Sequence, residues 1–190
     1  VVFGPITTSG TLSSGADVVL NGASSERAGS ALFTADWDGD GTDDLAVGAP
    51  YYSSNTGQIY VLSGPVTTSG NLSTQASSTL SGAASGDYAG SFLHGGCDVD
   101  GDGMDELLIG APDNNSGGTA YMMLGGFATG SIALSSDADT TISGDGDDET
   151  GSSVLCLPDQ DGDGNDEIAV GSPFDGNDAG KVSIFFGGGE

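Results

Sequence analysis

The sequence DWDGDGTDD at residues 36–44 decides the fold, because it returns as DVDGDGMDE at 98–106 and as DQDGDGNDE at 159–167. Each copy has carboxylates at positions 1, 3, 5 and 9 and a glycine at position 6. Alternate side chains of a nearly extended turn point to one side, so the first three carboxylates are expected to converge. The glycine allows a sharp bend that turns the carbonyl of position 7 inward. The pattern therefore predicts a loop folded around a hard cation.

Calcium suits such a loop best, because it takes about six to eight oxygen ligands in loose geometry, whereas magnesium needs a strict octahedron. We predict three Ca²⁺ ions per chain, with position 7 contributing its carbonyl oxygen. The predicted ligands are Asp36, Asp38, Asp40, Thr42 and Asp44 in the first loop, Asp98, Asp100, Asp102, Met104 and Glu106 in the second, and Asp159, Asp161, Asp163, Asn165 and Glu167 in the third.

An EF-hand loop begins in the same way, but it needs a bidentate glutamate at its twelfth position and a helix on each side. That position is occupied here by Val47, Ile109 and Val170. The apolar runs LAVGAP, LLIGAP and IAVGSP that follow the loops predict buried strands ending in turns. The EF-hand is therefore excluded.

The repeat extends well beyond the loops, which begin at residues 36, 98 and 159. Each unit continues with an alternating third strand, such as GQIYVLSG at 57–64, and a Ser/Thr-rich connection leads to a short fourth strand, SSTLSG or TTISG. No stretch has a sustained helical period, and 35 of the 190 residues are glycine, as expected for many tight turns. Four short antiparallel strands per unit predict an all-β fold, a β-propeller with blades at 22–81, 82–142 and 143–190.

The formal net charge of −26 excludes nucleic acid and anionic membrane surfaces as electrostatic partners, because both require a basic face. No apolar run approaches the length of a membrane span, so we expect no membrane insertion. Low free calcium in the cytosol favours an extracellular or cell-surface location for a secreted protein of this kind.

The cysteines, the aromatic residues and the acids at position 8 lie outside the predicted ligand set. Cys97 and Cys156 precede the second and third loops, and we expect free buried thiols, with a disulfide as the less favoured alternative. Trp37 is expected on the rim, and the acids at position 8 are expected in solvent or behind the ligands. Tyr51 and Tyr52 are the best candidates for an exposed binding face.

The order of these motifs resembles the FG-GAP repeat of integrin α-subunit propellers and related bacterial proteins, and the resemblance covers nearly the whole chain. The Phe-Gly of that motif corresponds here to Ala28-Gly29, Ala89-Gly90 and Thr150-Gly151. The resemblance implies that each loop joins the first two strands of a blade and binds calcium on one rim, while the opposite face carries loops that bind partners.

The function implied by the resemblance is a calcium-binding extracellular module for protein–protein interaction or cell adhesion, with an unknown protein or glycan ligand and no catalytic residues. The alternative is a carbohydrate-active or hydrolytic propeller in which calcium positions the substrate. Arg27 and Lys181 are the only basic residues besides His94, so little positive charge is available to stabilise a developing anion. We therefore predict that the chain is not an enzyme.

Three blades are fewer than the four to eight with which propellers typically close. The third unit ends after its third strand, whereas residues 1–21 match a third-strand exit and an outer strand that precede the first unit. We predict a head-to-tail homodimer of six blades, in which residues 1–21 complete a blade of the partner. The alternative is that the sequence is part of a longer array.

Overall fold

Short strands separated by tight turns make up the computed structural model of this chain, which describes residues 15–113 and 117–188. Single helical turns at Leu72–Gln75 and Leu134–Asp137, and turns with positive φ angles at Tyr52–Asn55 and Asp175–Asp178, interrupt the strands. The strands are β1 (Leu20–Asn21), β2 (Ala31–Ala35), β3 (Asp44–Ala49), β4 (Gln58–Leu62), β5 (Gly70–Asn71), β6 (Ser78–Ser81), β7 (Phe92–Gly95), β8 (Leu107–Ala111), β9 (Thr119–Met123), β10 (Gly130–Ala133), β11 (Thr140–Ser143), β12 (Ser153–Leu157), β13 (Glu167–Ser172) and β14 (Lys181–Phe185). The fold is all-β, as predicted, and within the described ranges no helix is long and apolar enough to cross a membrane.

The strands form three antiparallel units that fit the blades of a propeller. The first blade has the order β2-β3-β4-β6 and the second the order β7-β8-β9-β11. The third has β12, β13 and β14, and no fourth strand pairs with β14 among the described residues. The register repeats, since Ala31 lies opposite Gly48, Phe92 opposite Gly110 and Ser153 opposite Gly171. These described sheets do not close into a ring, so the six-blade arrangement stays a prediction.

Neighbouring units also share hydrogen bonds, which the sequence pattern did not predict. β10 belongs to the second unit along the chain but pairs in parallel with β6, the outer strand of the first blade. In the same way, β1 pairs in parallel with β5. Leu20 lies opposite Gly70 in the register in which Leu80 lies opposite Ile132. β1 therefore occupies the position of an outer strand belonging to a blade that precedes the first.

Apolar side chains alternate along the strands and form cores between the blades. We call the side of a blade that faces the following blade its forward face, and the other side its back face. Ile59 and Val61 on the forward face of the first blade pack with Leu107 and Ile109 on the back face of the second. A similar core joins the second and third blades. Leu20 and Leu72 cover the back face of the first blade. Burial of apolar area between blades is thus the main stabilising term of the array.

Glycine permits close approach of the backbones at these interfaces. A Cβ atom at Gly48 would clash with the carbonyl oxygen of Gly90 in the next blade, and one at Gly110 would clash with that of Gly151. Both glycines stand in the Gly-Ala-Pro runs that follow the acidic loops. A residue without a side chain is needed at this position of each unit, because contact between the two backbones sets the distance between neighbouring blades.

The expectation of free thiols is wrong, because Cys97 and Cys156 form a disulfide with a Cα–Cα distance of 5.6 Å. Residues at equivalent positions of two units lie far apart, but these two cysteines are not equivalent. Cys97 directly precedes the second loop, while Cys156 lies on β12, the first strand of the next blade. The packing of neighbouring first strands brings the two residues together, and the disulfide joins the second blade to the third.

Candidate metal centre

Acidic side chains converge in each of the three loops, which connect the first and second strands of their blades. Three groups have carboxylate oxygens within 4.8 Å of one another: Asp36, Asp38 and Asp40; Asp98, Asp100 and Asp102; and Asp159, Asp161 and Glu167. Because every loop joins equivalent strands, the three clusters lie on the same edge of the blade array. Clusters of this kind are suited to hold a divalent cation.

The backbone of each loop is folded around the carboxylate at position 1. The amides of Gly101, Asp102 and Gly103 donate to Asp98 at 2.7, 3.1 and 3.0 Å. Asp36 and Asp159 accept equivalent bonds from their own loops. Glycines at positions 4 and 6 make this possible, since Gly101 and Gly103 have φ angles of +79° and +85°. The loop therefore places its acidic side chains through local backbone hydrogen bonds.

The carboxylates at position 9 are buried, and they are Asp44, Glu106 and Glu167. Glu106 accepts hydrogen bonds from the amides of Val99 at 2.6 Å and Gly125 at 3.3 Å. Burial nevertheless raises its pKa to about 7, and burial also raises the pKa of Asp44. Neutral amides are the only described hydrogen-bond donors to Glu106, so a cation beside it would supply the missing positive charge. The donor set thus fits a divalent cation.

The remaining predicted ligands differ among the loops. Asp163 accepts from the amide of Asn165 at 2.9 Å and lies outside the converging group of the third loop. The amides of Thr42 and Met104 likewise donate to the position-5 carboxylates, each at 2.8 Å. Of the three position-9 carboxylates, Glu167 belongs to the converging group of its loop, whereas Asp44 and Glu106 are not part of theirs. The carbonyl ligands at position 7 stay a prediction.

The acids at position 8 connect neighbouring loops, a role that the sequence analysis missed. The amide of Asp36 donates to Asp105 Oδ2 at 3.0 Å, and the amide of Asp105 donates back to the carbonyl of Asp36 at 3.3 Å. Asp98 and Asp166 form the same pair at 3.3 and 2.9 Å. The sequence does show an acid at position 8 of every loop. It does not show the hydrogen-bond partner of that acid, because the partner lies in the preceding unit.

The comparison with known proteins agrees with this architecture. The family model described as FG-GAP repeat matches residues 28–62, 89–123 and 150–185, one match in each unit. This chain belongs to the FG-GAP repeat family. Each match begins at the Ala-Gly or Thr-Gly turn before the first strand and ends at the third strand.

Two curated relatives share most of this FG-GAP chain. Integrin alpha-PS2 of Drosophila melanogaster is 36% identical over 172 residues, which cover 84% of this chain and 11% of the relative. Phosphatidylinositol-glycan-specific phospholipase D of Rattus norvegicus is 32% identical over 178 residues, which cover 84% of this chain and 20% of the relative. The chain therefore spans only a small part of either relative.

Trp37, at position 2 of the first FG-GAP loop, is not the rim residue that the sequence predicted. Its side chain is 1% exposed and packs in the core between the first and second blades. Its carbonyl accepts a hydrogen bond from the amide of Gly126 at 2.7 Å. Position 2 points away from the acidic side of the loop, and in this array that direction leads into the blade interface. Val99, the equivalent residue of the second loop, is also buried.

The opposite edge of the FG-GAP blades carries the aromatic residues predicted for a binding face. Tyr52 is 38% exposed. Tyr51 is half-buried, with the Arg27 guanidinium 3.8 Å from its ring centroid and Tyr88 in edge contact at 5.1 Å. Tyr60, on the third strand of the first blade, is buried in a core. Tyr52 is therefore the more accessible of the two predicted contact residues.

His94 does not form part of a catalytic group among the described residues. Its Nδ1 atom accepts a hydrogen bond from the amide of Cys156 at 3.2 Å, and its ring lies 4.7 Å from that of Phe33. Burial lowers the pKa of His94, which favours the neutral imidazole. The contacts of His94 serve the packing of three neighbouring first strands.

Proposed function

We propose that this chain is a calcium-binding, extracellular or cell-surface propeller module that mediates protein–protein interaction or cell adhesion. The observation that carries the proposal is the buried Glu106 carboxylate beside Asp98 and Asp100, with backbone amides as its described donors. Burying such a group without a counter-charge costs free energy, and Ca²⁺ bound to the loop would offset that cost. Each of the three loops has its own group of converging carboxylates, which supports three ions per chain.

The disulfide supports the extracellular part of the proposal. Disulfides persist in oxidising compartments and are rare in the cytosol, where thiols are kept reduced. Cys97 is 1% exposed, and its bond to Cys156 joins two blades, as expected of a structural disulfide. Similarity to an integrin α-subunit also favours the cell surface, although this chain matches 11% of that protein.

A non-enzymatic role is favoured over hydrolysis of a glycan or phosphodiester. Similarity to a phospholipase D is the observation on the side of catalysis. The described basic residues are engaged away from the metal loops, however, because Arg27 stacks on Tyr51 and Lys181 pairs with Asp175. With no basic side chain described beside the loops, the bound cation alone would have to stabilise the negative charge that develops during hydrolysis of a phosphodiester.

The binding surface is proposed to be the edge opposite the metal loops, where Tyr52 is exposed. The net charge of −26 creates a negative field that steers partners of opposite charge. A protein or glycan ligand is therefore expected to present lysine or arginine, or to bind through a shared divalent cation. Binding should weaken with added salt in the first case and with chelator in the second.

Calcium titration tests the proposal directly. Calcium at a hundred times its dissociation constant should stabilise the protein by about 2.7 kcal/mol per occupied site, because the unfolded chain holds the ion poorly. Asp38→Ala, Asp100→Ala and Asp161→Ala should each reduce the calcium bound after dialysis by one ion per chain. Asp147→Ala, which removes an acid outside the loops, is the matched control and should leave three. Identical melting in calcium and in excess chelator would refute the proposal.

A further inference from the structure

The forward face of the third blade is apolar and exposed. Leu155, Val182 and Ile184 are 43%, 72% and 51% exposed. The residues of the first blade that correspond to the latter two by strand register, Ile59 and Val61, are 0% and 2% exposed because the second blade covers them. The third blade therefore carries the same kind of face that its neighbours bury against another blade.

A glycine on this face also indicates contact with a following blade. Gly171 corresponds to Gly48 and Gly110, each of which lies against a carbonyl of the following blade. At Gly171, by contrast, the nearby atoms all belong to Ser153 of the same blade. The third blade has thus kept the space that backbone contact with a following blade requires.

The back side of the first blade presents the complementary features. Leu32, on β2, is 60% exposed, whereas its equivalent in the third blade, Val154, is 8% exposed against the second blade. Asp43 corresponds to Asp105 and Asp166, which bind the amides of the preceding loops. No hydrogen bond to the Asp43 carboxylate is found within residues 15–113 and 117–188, because no described loop precedes the first.

Within the described residues, one edge of strand β1 is hydrogen-bonded to a neighbouring strand and the other edge is not. β6 lies between β4 and β10, whereas β1, its equivalent, pairs with β5 and with no other described strand. β14 has the converse arrangement, since β13 lies on one side and no described strand on the other. The register of β6 on β4 would place Leu20 opposite Val182 and Asn21 opposite Lys181.

We propose that the forward face of the third blade binds the back face of the first blade in a second copy of this chain. β1 of each copy then adds to β14 of the other. The amide of Asp159, which donates to Asp166 Oδ1 at 3.1 Å in the single chain, turns to Asp43 of the other copy, as the amides of Asp36 and Asp98 bind the acids of the following loops. A head-to-tail contact used twice closes two chains into a ring of six blades, within the range of known propellers. The proposal rests on blade geometry and does not depend on which cation the loops hold.

The internal disulfide supplies the design of a test. Cys97 directly precedes the second loop, and Pro158 directly precedes the third. Cys156 lies opposite Ile168 on the strand ladder, and Thr34 lies opposite Leu45, the equivalent of Ile168. The proposed contact therefore sets Pro158 of one copy against Thr34 of the other in the geometry of Cys97 and Cys156, whose Cα atoms are 5.6 Å apart.

The experiment combines light scattering on the unmodified chain with oxidation of Thr34→Cys/Pro158→Cys. We expect a particle of twice the 18.6 kDa chain mass, and a covalent dimer of the double variant under non-reducing conditions. Thr34→Cys/Ser135→Cys, which pairs the same site with an exposed residue elsewhere, should not form it. A monomer, an open series of larger assemblies, or a dimer that only the control pair cross-links would each overturn the proposal.

A surface substitution gives an independent readout. Ile184→Lys places a charge at the proposed contact, on a residue that is exposed in the single chain, and should convert the dimer to monomer without loss of folding. Phe92→Lys is the control, because Phe92 is 41% exposed on the middle blade. Equal masses for the two variants would contradict the proposal. Measurement in calcium and in chelator separates this outcome from failure of the calcium hypothesis.

Discussion

Removing the disulfide between Cys97 and Cys156 should have a large and calculable effect on stability. The two residues are 59 apart in sequence, and the chain-entropy relation for a closed loop of that length gives about 4 kcal/mol of stabilisation. For a domain of this size each kcal/mol shifts the melting temperature by about 2–4 °C. Reduction should therefore lower the melting temperature by about 8–16 °C.

Calorimetry of the oxidised and reduced protein, at one protein concentration and in excess calcium, measures this shift. Cys97→Ala/Cys156→Ala is the companion variant, because it removes the sulfur atoms as well as the bond. Its melting temperature should lie at or slightly below that of the reduced chain, since Cys97 packs in the core between the second and third blades. Coincident melting of the oxidised and reduced chains would show that the bond does not constrain the unfolded state as reasoned.

Three further predictions concern single residues. Trp37 is the only tryptophan, and its loop should bind Tb³⁺, so excitation of the indole band should produce terbium emission that calcium suppresses and Trp37→Phe abolishes. Asp105→Ala should lower the free energy of unfolding by about 1 kcal/mol in urea titrations, because the Asp36 amide loses its acceptor, whereas Asp43→Ala should cost less in a single chain. Burial lowers the pKa of His94, so its stabilising contribution is present above the unfolded pKa of about 6.5 and is lost as the pH falls through the folded value. His94→Gln should thus flatten the acid limb of the stability profile, and unchanged steepness would contradict the assignment.

Local pattern was enough to predict the elements that repeat. The loops and the strands that flank them follow from turn residues and alternation within one unit. The burial of Trp37 and the pairing of Cys97 with Cys156 could not be predicted in this way. Both depend on which residues of the next blade lie opposite, and a periodic pattern carries no information about the relative height of two neighbouring sheets.

The role of the position-8 acids was missed for a related reason. Asp105 looks like a solvated carboxylate when its own loop is considered, because its bond is to Asp36 in the preceding unit. The ligand set itself was easier to propose, since the carboxylates at positions 1, 3 and 5 lie within a few residues of one another. Sequence patterns thus predict contacts inside a unit better than contacts between units.

The parallel pairing of β10 with β6 has a consequence for how such arrays change over evolutionary time. The segment that is duplicated in a gene is one repeat long, but the segment that hydrogen-bonds as one sheet takes a strand from the repeat after it. An inserted repeat brings a strand for the sheet before it and receives one from the repeat that follows. Arrays can therefore lengthen or shorten by whole repeats without creating a new type of junction, wherever in the repeat the recombination occurs.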